Sequence, residues 1–295
     1  MLFRSRAAGL FQGLTDLKKI PEGLEFSHPP SCENMFKDCT ALEEAPMFDT
    51  SESTNFHGMF WNTKALKEIP AYDTSKGTDF SDMFRNSKLE VPPQIDTSKC
   101  QNFYRMFASA GMLMSLPELD TQEARNCGYM FNYCKRMLNE KEITFDVGKC
   151  QNFSFMFNEC NDMKVAPIMN TFNGRTFAYM FNNCSSLVTI PKLYLSATVE
   201  TYYDENNMAT YSCFYNTFYN CVNLENITIQ GYIIHNISFY DCSKLTHESL
   251  MSIINALLNF SSSTNKKYCQ LGPTNLAKLS DEEKAIAINK GWTLY

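Results

Sequence analysis

The sequence predicts an α/β solenoid with short parallel strands, short helical turns and a C-terminal helical cap. Three observations predict it: a repeat of about 24 residues, a recurring aliphatic-Pro segment inside each repeat, and an end of the periodicity after Leu245, where helix signals take over. The clearest mark of the repeat is an apolar–Phe pair, at Leu10-Phe11, Met35-Phe36, Met59-Phe60, Met83-Phe84, Met106-Phe107, Met130-Phe131, Met156-Phe157 and Met180-Phe181, with degenerate copies at Thr217-Phe218 and Ser238-Phe239. The Phe-to-Phe steps are 25, 24, 24, 23, 24, 26, 24, 37 and 21. A repeat of this length cannot bury its apolar face alone, so each copy leans on its neighbours.

The copy from Asn55 to Pro70 shows how one coil is built. Phe56, Met59 and Phe60 are spaced i, i+3, i+4, one face of a short helical turn. A polar turn follows, and Leu66 and Ile69 then face the core from an extended segment. Asp73-Thr74-Ser75, repeated at Asp49-Thr50-Ser51 and Asp96-Thr97-Ser98, suits an Asx-type turn or the N-cap of the next helical turn. A proline ends the extended segment in most copies (Pro21, Pro46, Pro70, Pro92, Pro117, Pro167, Pro191). Proline donates nothing to a β-ladder, so the predicted strands are only two to four residues long.

Twelve cysteines suggest a disulfide framework until they are placed on the repeat. Cys39, Cys134, Cys160, Cys184, Cys221 and Cys242 all stand three residues after the repeat Phe, where other copies hold Leu14, Thr63, Ser87 or Ala110. A slot shared by such residues is a small buried turn position, and a free thiol behaves there as a small hydrophobe.

The 37-residue step carries about 13 extra residues near 194–208, in a tyrosine-rich stretch. Insertions in solenoids emerge as loops on one face, often the binding face. Tyr202, Tyr203, Asp204 and Tyr211 are the candidate ligand-binding residues, because tyrosine offers a large amphipathic contact at low entropic cost. The alternative is a loop that packs its own aromatics on the coil beneath.

Residues 1–245 thus form about ten coils and 246–295 an α/β cap. In the cap, Thr246 to Asn259 reads as an amphipathic helix, Tyr268 to Leu271 as a strand, Ser280-Asp281-Glu282-Glu283 as a capping box, Gly291 as a C-cap and Trp292 to Tyr295 as a last strand. No comparable cap precedes Phe11, so a neighbouring subunit or domain is expected at the N-terminal face.

A net charge of −6 argues against nucleic acid. No apolar run reaches the roughly 20 residues that membrane insertion needs. Met1 to Gly13 carries Arg4 and Arg6 without the apolar segment of a signal peptide. His28, His57, His235 and His247 fall in unrelated slots, and no His-x-x-x-His, Cys-x-x-Cys, Gly-x-Ser-x-Gly or glycine-rich phosphate loop occurs, so no metal, cofactor or catalytic residue is expected. Glu43, Glu44, Glu68 and Glu90, with Lys18, Lys19, Lys67 and Lys164, read as a solvated face.

The Met-Phe-x-x-Cys-x-x-Leu-x-x-Ile-Pro-x-x-Asp-Thr-Ser pattern, running from about Leu10 to Leu245, resembles the BspA-like branch of leucine-rich repeats and the related Mycoplasma-type surface-protein repeats. It departs from that pattern at 137–145, where Met137 replaces Leu and the Pro is lost, and at the long step before Phe218. The stretch from Leu276 to Leu294 resembles the C-terminal block of repeat proteins from gut bacteria and their phages. The resemblance implies a leucine-rich-repeat solenoid used for adhesion or recognition, with a protein or cell-surface glycan as partner and no catalytic residue. On that resemblance the chain reads as a non-enzymatic recognition or structural protein of a phage particle, tail-associated, with a fragment of a bacterial cell-surface adhesin as the alternative.

Overall fold

The computed structural model describes residues 2–3, 7–21, 24–26, 28–90, 93–195, 201–204 and 209–295; at 2–3, 25–26, 201–204 and 209–210 it describes the backbone alone. Arg4, Arg6, Pro92 and most of the insertion lie outside the described residues. The chain separates into two compact units, Met1–Leu138 and Asn139–Tyr295. The division falls where the repeat pattern lapses at 137–145.

In both units the segment around the repeat Phe differs from the short helix that its spacing predicts. It is a run of turns containing two left-handed residues, two before and two after the Phe: Asn34 and Asp38 (φ 53° and 62°), Gly58 and Asn62 (59° and 63°), Asp82 and Asn86 (both 55°). A residue at positive φ breaks the α-helical path, and Gly, Asn and Asp reach it at least cost. The N–H groups then alternate in direction. Those of Met35 and Lys37 close local turns onto Cys32 and Asn34, whereas those of Cys32, Asn34, Phe36 and Asp38 donate to the carbonyls of Asn55, His57, Met59 and Trp61 in the next coil at 2.8–2.9 Å. The register recurs at Phe60 to Met83 (2.9 Å) and Phe84 to Met106 (2.8 Å) in the first unit, and at Phe157 to Met180 (2.9 Å) in the second. Every second amide is thus satisfied by a neighbour and the rest locally, which accounts for buried backbone without helix or long strand.

Identical residues at identical slots stack. In the first unit the rings of Phe11, Phe36, Phe60, Phe84, Phe107 and Phe131 follow one another at 5.4–6.0 Å with interplanar angles of 0–18°. In the second, Phe157, Phe181, Phe218 and Phe239 do the same at 4.6–6.2 Å. From Phe36 on, all of these are buried. The Asp-Thr-Ser triplets form Asx turns: Asp49, Asp73 and Asp96 accept the N–H of Ser51, Ser75 and Ser98 at 2.8–3.0 Å. The buried Thr50, Thr74 and Thr97 hydroxyls donate to the carbonyls of Asp73, Asp96 and Asp120 in the next coil. All twelve cysteines are free and buried. Cys39, Cys134, Cys184, Cys221 and Cys242, three residues after the Phe, donate to the Phe carbonyl of the preceding coil, as Cys39 does to Phe11 (3.0 Å) and Cys184 to Phe157 (3.0 Å). Burial pushes the thiols of Cys134 and Cys221 up to about 12.

Regular strands are sparse. In the first unit β1 (Leu2–Phe3) pairs in parallel with β2 (Glu25–Phe26). In the second, β3 (Thr144–Phe145), β4 (Ile168–Met169), β5 (Thr189–Leu195) and β8 (Asn226–Gly231) form one parallel sheet in that order. β5 is longer than predicted and contains Pro191, and its register against β8 shifts there, between Ile190 and Leu193. The missing donor therefore sits at a bulge. Gly231 ends β8 at φ +104°, where a Cβ would lie 1.8 Å from the Leu195 carbonyl oxygen, so only glycine fits.

Between β5 and β8 the insertion forms an antiparallel hairpin of β6 (Thr201–Asp204) and β7 (Ala209–Ser212). The ladder is indifferent to it: Phe177, Tyr179, Phe181 and Asn183 donate to Cys213, Tyr215, Thr217 and Tyr219 in the ordinary register across the 37-residue step.

The C-terminal elements belong to the second unit. β9 (Ile237–Ser238), β10 (Lys267–Gln270) and β11 (Trp292–Leu294) form a parallel sheet with β10 in the middle. The helix α1 (His247–Ala256) is capped by Thr246 and lies along the edge of β8. There Ser249 and Ser252, one turn apart, accept the N–H groups of Ile227 (3.0 Å) and Ile229 (2.9 Å). α1 stops short of the predicted Asn259 because Ile233 takes over the backbone, donating to Ala256 and accepting from Leu258. A short α2 (Gly272–Leu276), absent from the sequence prediction, precedes α3 (Asp281–Asn289). α3 opens with the reciprocal Ser280–Glu283 capping box and ends before Gly291 at φ +84°.

Candidate recognition site

The predicted site residues fall on the hairpin. Tyr202, Tyr203 and Asp204 lie on β6, opposite Tyr211, Thr210 and Ala209 of β7. The side chains of Tyr202, Tyr203 and Asp204 are outside what the structure describes. Tyr211 is half-buried and belongs to an aromatic cluster that the tyrosine-rich stretch alone does not reveal. Its ring meets Tyr179 edge-on at 5.3 Å, Tyr215 at 5.7 Å and Phe155 at 6.0 Å. Phe155 and Tyr179 stack at 4.4 Å, and Tyr179 and Tyr215 meet at 5.3 Å. Partial burial and its tyrosine neighbours push the Tyr179 hydroxyl up to about 12.

Phe155 and Tyr179 come from consecutive coils, both two residues before the repeat Phe, where Asn34, Gly58, Asp82, Arg105 and Tyr129 stand in the first unit. Both adopt positive φ (57° and 58°). The left-handed region costs a bulky L-residue roughly 1–2 kcal/mol, and such cost is met most often where a side chain is wanted for its surface. The signal was present in the aligned copies, as three aromatics, Tyr129, Phe155 and Tyr179, in a slot suited to Gly or Asn.

Beside the cluster, a depression of about 140 Å³ lies between Tyr215, Asn216, Asn236, Ser238, Tyr268 and Gln270. Tyr215 is 46% exposed and Tyr268 39%. The Asn236 carboxamide oxygen accepts the Tyr268 N–H at 3.0 Å, which fixes the amide. A larger hollow, about 440 Å³, is formed in the first unit by Glu43, Glu44, Ala45, Glu68, Ile69 and Pro70. It offers solvated carboxylates, with Glu43 3.5 Å from Lys18, and no convergent donors.

The histidines with described partners have structural ones: His57 to Ser81 (2.7 Å), His28 to Asp49 (2.8 Å) and His247 to Glu283 (2.8 Å). Among the described residues no group of three or more His, Cys, Asp or Glu side chains is placed to hold a metal ion. None of their helices is long and apolar enough to cross a membrane.

Stacked rings, inter-coil amide ladders and a surface aromatic cluster define a repeat protein whose coils carry side chains at fixed slots. Over residues 30–142 and 92–194 the chain matches the family described as "Mycoplasma protein of unknown function, DUF285". These matches cover more than half of the chain, which therefore belongs to that family. No curated protein and no solved structure matches it.

Proposed function

We propose that this chain is a non-enzymatic recognition protein of the solenoid class, binding a protein or glycan on a cell surface, and that it serves as a tail-associated component of a phage particle. The observation that carries recognition is the cluster of Phe155, Tyr179, Tyr211 and Tyr215, in which two aromatics are held at positive φ on a framework whose own amides are already satisfied. No catalytic residue or cofactor is assigned. A tail-associated protein assembles in the host cytoplasm, where thiols stay reduced, and twelve free cysteines accord with that. The matched family favours a second reading, a surface adhesin of a bacterium, because its description is of Mycoplasma proteins. Neighbouring genes separate the two: tail and baseplate genes on one side, secretion and sorting genes on the other.

The same proposal takes 246–295 as the cap of the solenoid, related to the end block of gut-bacterial and phage repeat proteins. It places a partner subunit or domain at the N-terminal coil, where Phe11 is only half-buried against Phe36. The test is binding of the purified protein to intact bacterial cells and isolated envelopes, beside a variant with Tyr202, Tyr203 and Tyr211 changed to Ala. Wild-type binding lost in a variant with an unchanged melting curve is the expected result. Absence of binding by the wild type would overturn it.

A further inference from the structure

We infer that the turn-ladder face of the second unit, centred on Tyr215 and its groove, binds a neutral polysaccharide. This rests on the recognition role proposed above and names the ligand class. The slots flanking each repeat Phe supply the outer side chains of the ladder. In the second unit they hold Phe155, Tyr179, Tyr215, Tyr219 and Tyr240 among six asparagines, of which Asn158 and Asn182 are buried against each other and the other four reach the surface, and neither Lys nor Arg occurs there. Glu159 and Asp241 are their only charges. The same slots in the first unit carry charges of both signs, Lys37, Arg85 and Arg105 with Glu33, Asp38 and Asp82: Lys37 and Arg85 flank Trp61 at 3.8 and 4.5 Å, Arg85 pairs with Asp82 at 3.1 Å, and Arg105 lies 4.8 Å from the Tyr104 ring. The contrast between units, on one repeated framework, marks the second as built for an uncharged ligand.

The chemistry fits a sugar chain. A pyranose ring presents an apolar C–H face and a rim of hydroxyl groups, which each donate and accept. Tyrosine rings offer the matching apolar surface, and carboxamides, with two donors and two lone pairs each, match the hydroxyls. The amides are held in place beforehand: Asn183 donates to Glu159 (2.7 Å) and Asn220 to Asn183 (3.0 Å), each spending one N–H of two on the ladder. Such pre-organisation lowers the ordering cost of binding. The groove between Tyr215 and Tyr268 combines two exposed rings with Asn216, Asn236, Gln270 and Ser238, and its volume of about 140 Å³ admits one monosaccharide. The slots themselves offer no cation to an acidic glycan. A protein partner would meet slots without arginine, the residue that anchors protein interfaces together with Trp and Tyr.

The experiment is titration calorimetry of the full chain with linear hexamers of β-1,4-glucose, β-1,4-mannose and α-1,4-glucose, and with heparin as the acidic probe. Tyr215→Ala, Tyr268→Ala and Tyr215→Phe are compared with wild type, with melting curves to confirm folding. At least one neutral hexamer binds; each Ala variant weakens it about tenfold or more, while Tyr215→Phe, which keeps the ring, stays within about threefold. Heparin binding at least as tight as any neutral hexamer, or neutral binding untouched by both Ala changes, would overturn the assignment. Binding to whole cells without binding to any hexamer would overturn it and leave the recognition role standing. Binding to neither would remove both.

Discussion

Phe84 sits between the rings of Phe60 and Phe107, at 6.0 and 5.4 Å, with no exposed surface. Its truncation leaves a cavity that the flanking rings, each locked to its own coil, are poorly placed to fill. Phe84→Ala is expected to destabilise the protein by about 3–5 kcal/mol in urea unfolding; a loss under about 1 kcal/mol would show that the stack relaxes around the gap. The Asx turns give a pH prediction. Asp49, Asp73 and Asp96 each have a carboxyl held below its ordinary 3.8 chiefly by hydrogen bonds from the serine two residues on. The folded values being the lower ones, the native state prefers the ionised form. Their contribution is present above the ordinary value and is lost as the pH falls through the folded values. Asn keeps the acceptor oxygen but has no proton to gain. A variant with all three changed to Asn should lose less melting temperature than wild type between about pH 5 and about pH 2; parallel curves would show that these turns do not govern acid stability.

At the scale of elements, the edge of β8 is the informative place. An exposed strand edge is a template for pairing with another chain. Here α1 covers it, and two serines one helical turn apart take the amides that a further strand would have taken. Ser249 also donates to the Glu225 carbonyl (2.9 Å), so it serves both polarities of the edge. Ser249→Ala and Ser252→Ala each leave a buried N–H without a protein partner, at a cost of about 1–3 kcal/mol. Hydrogen exchange is the measurement: the amides of Ile227 and Ile229 should lose protection in the respective variants while that of Phe181, deep in the ladder, keeps it. Equal protection in all three would mean that packing of α1, and not its serines, closes the edge.

For the whole molecule, the 37-residue step tests whether the ladder or the chain length sets the architecture. Phe177 to Asn183 bond to Cys213 to Tyr219 as though the extra residues were absent. Excision of residues 196–208 restores a step of 24. The shortened chain should therefore melt within a few degrees of wild type, since the entropic cost of a loop changes slowly with its length. Collapse of the fold would show that β6 is needed to hold β7, and with it Tyr211, against the coil that carries Tyr179.

Much of this was legible in the residues. The spacing of Phe, the small slot occupied by cysteine, the Asx triplets and the Ser280–Glu283 box are all local patterns, and each reappears as a stacked ring, a buried thiol, a turn or a cap. The spacing of Phe56, Met59 and Phe60 misled about the helix. A hydrophobic period reports which side chains are buried, not the sign of φ between them, and the left-handed residues at 58 and 62 were the contrary signal. The site was half legible. Tyr211 could be named from its tyrosine-rich surroundings, whereas Phe155 and Tyr179, from other coils, join it only because stacking brings residues about 24 and 36 positions apart into contact. The sequence by itself determined the repeat, its slots and what each slot buries, because those depend on residues close along the chain. Only the tertiary structure decided how the amides divide between local turns and the neighbouring coil, and which aromatics share a surface. Both depend on register between coils, a property of pairs of segments that no single segment contains.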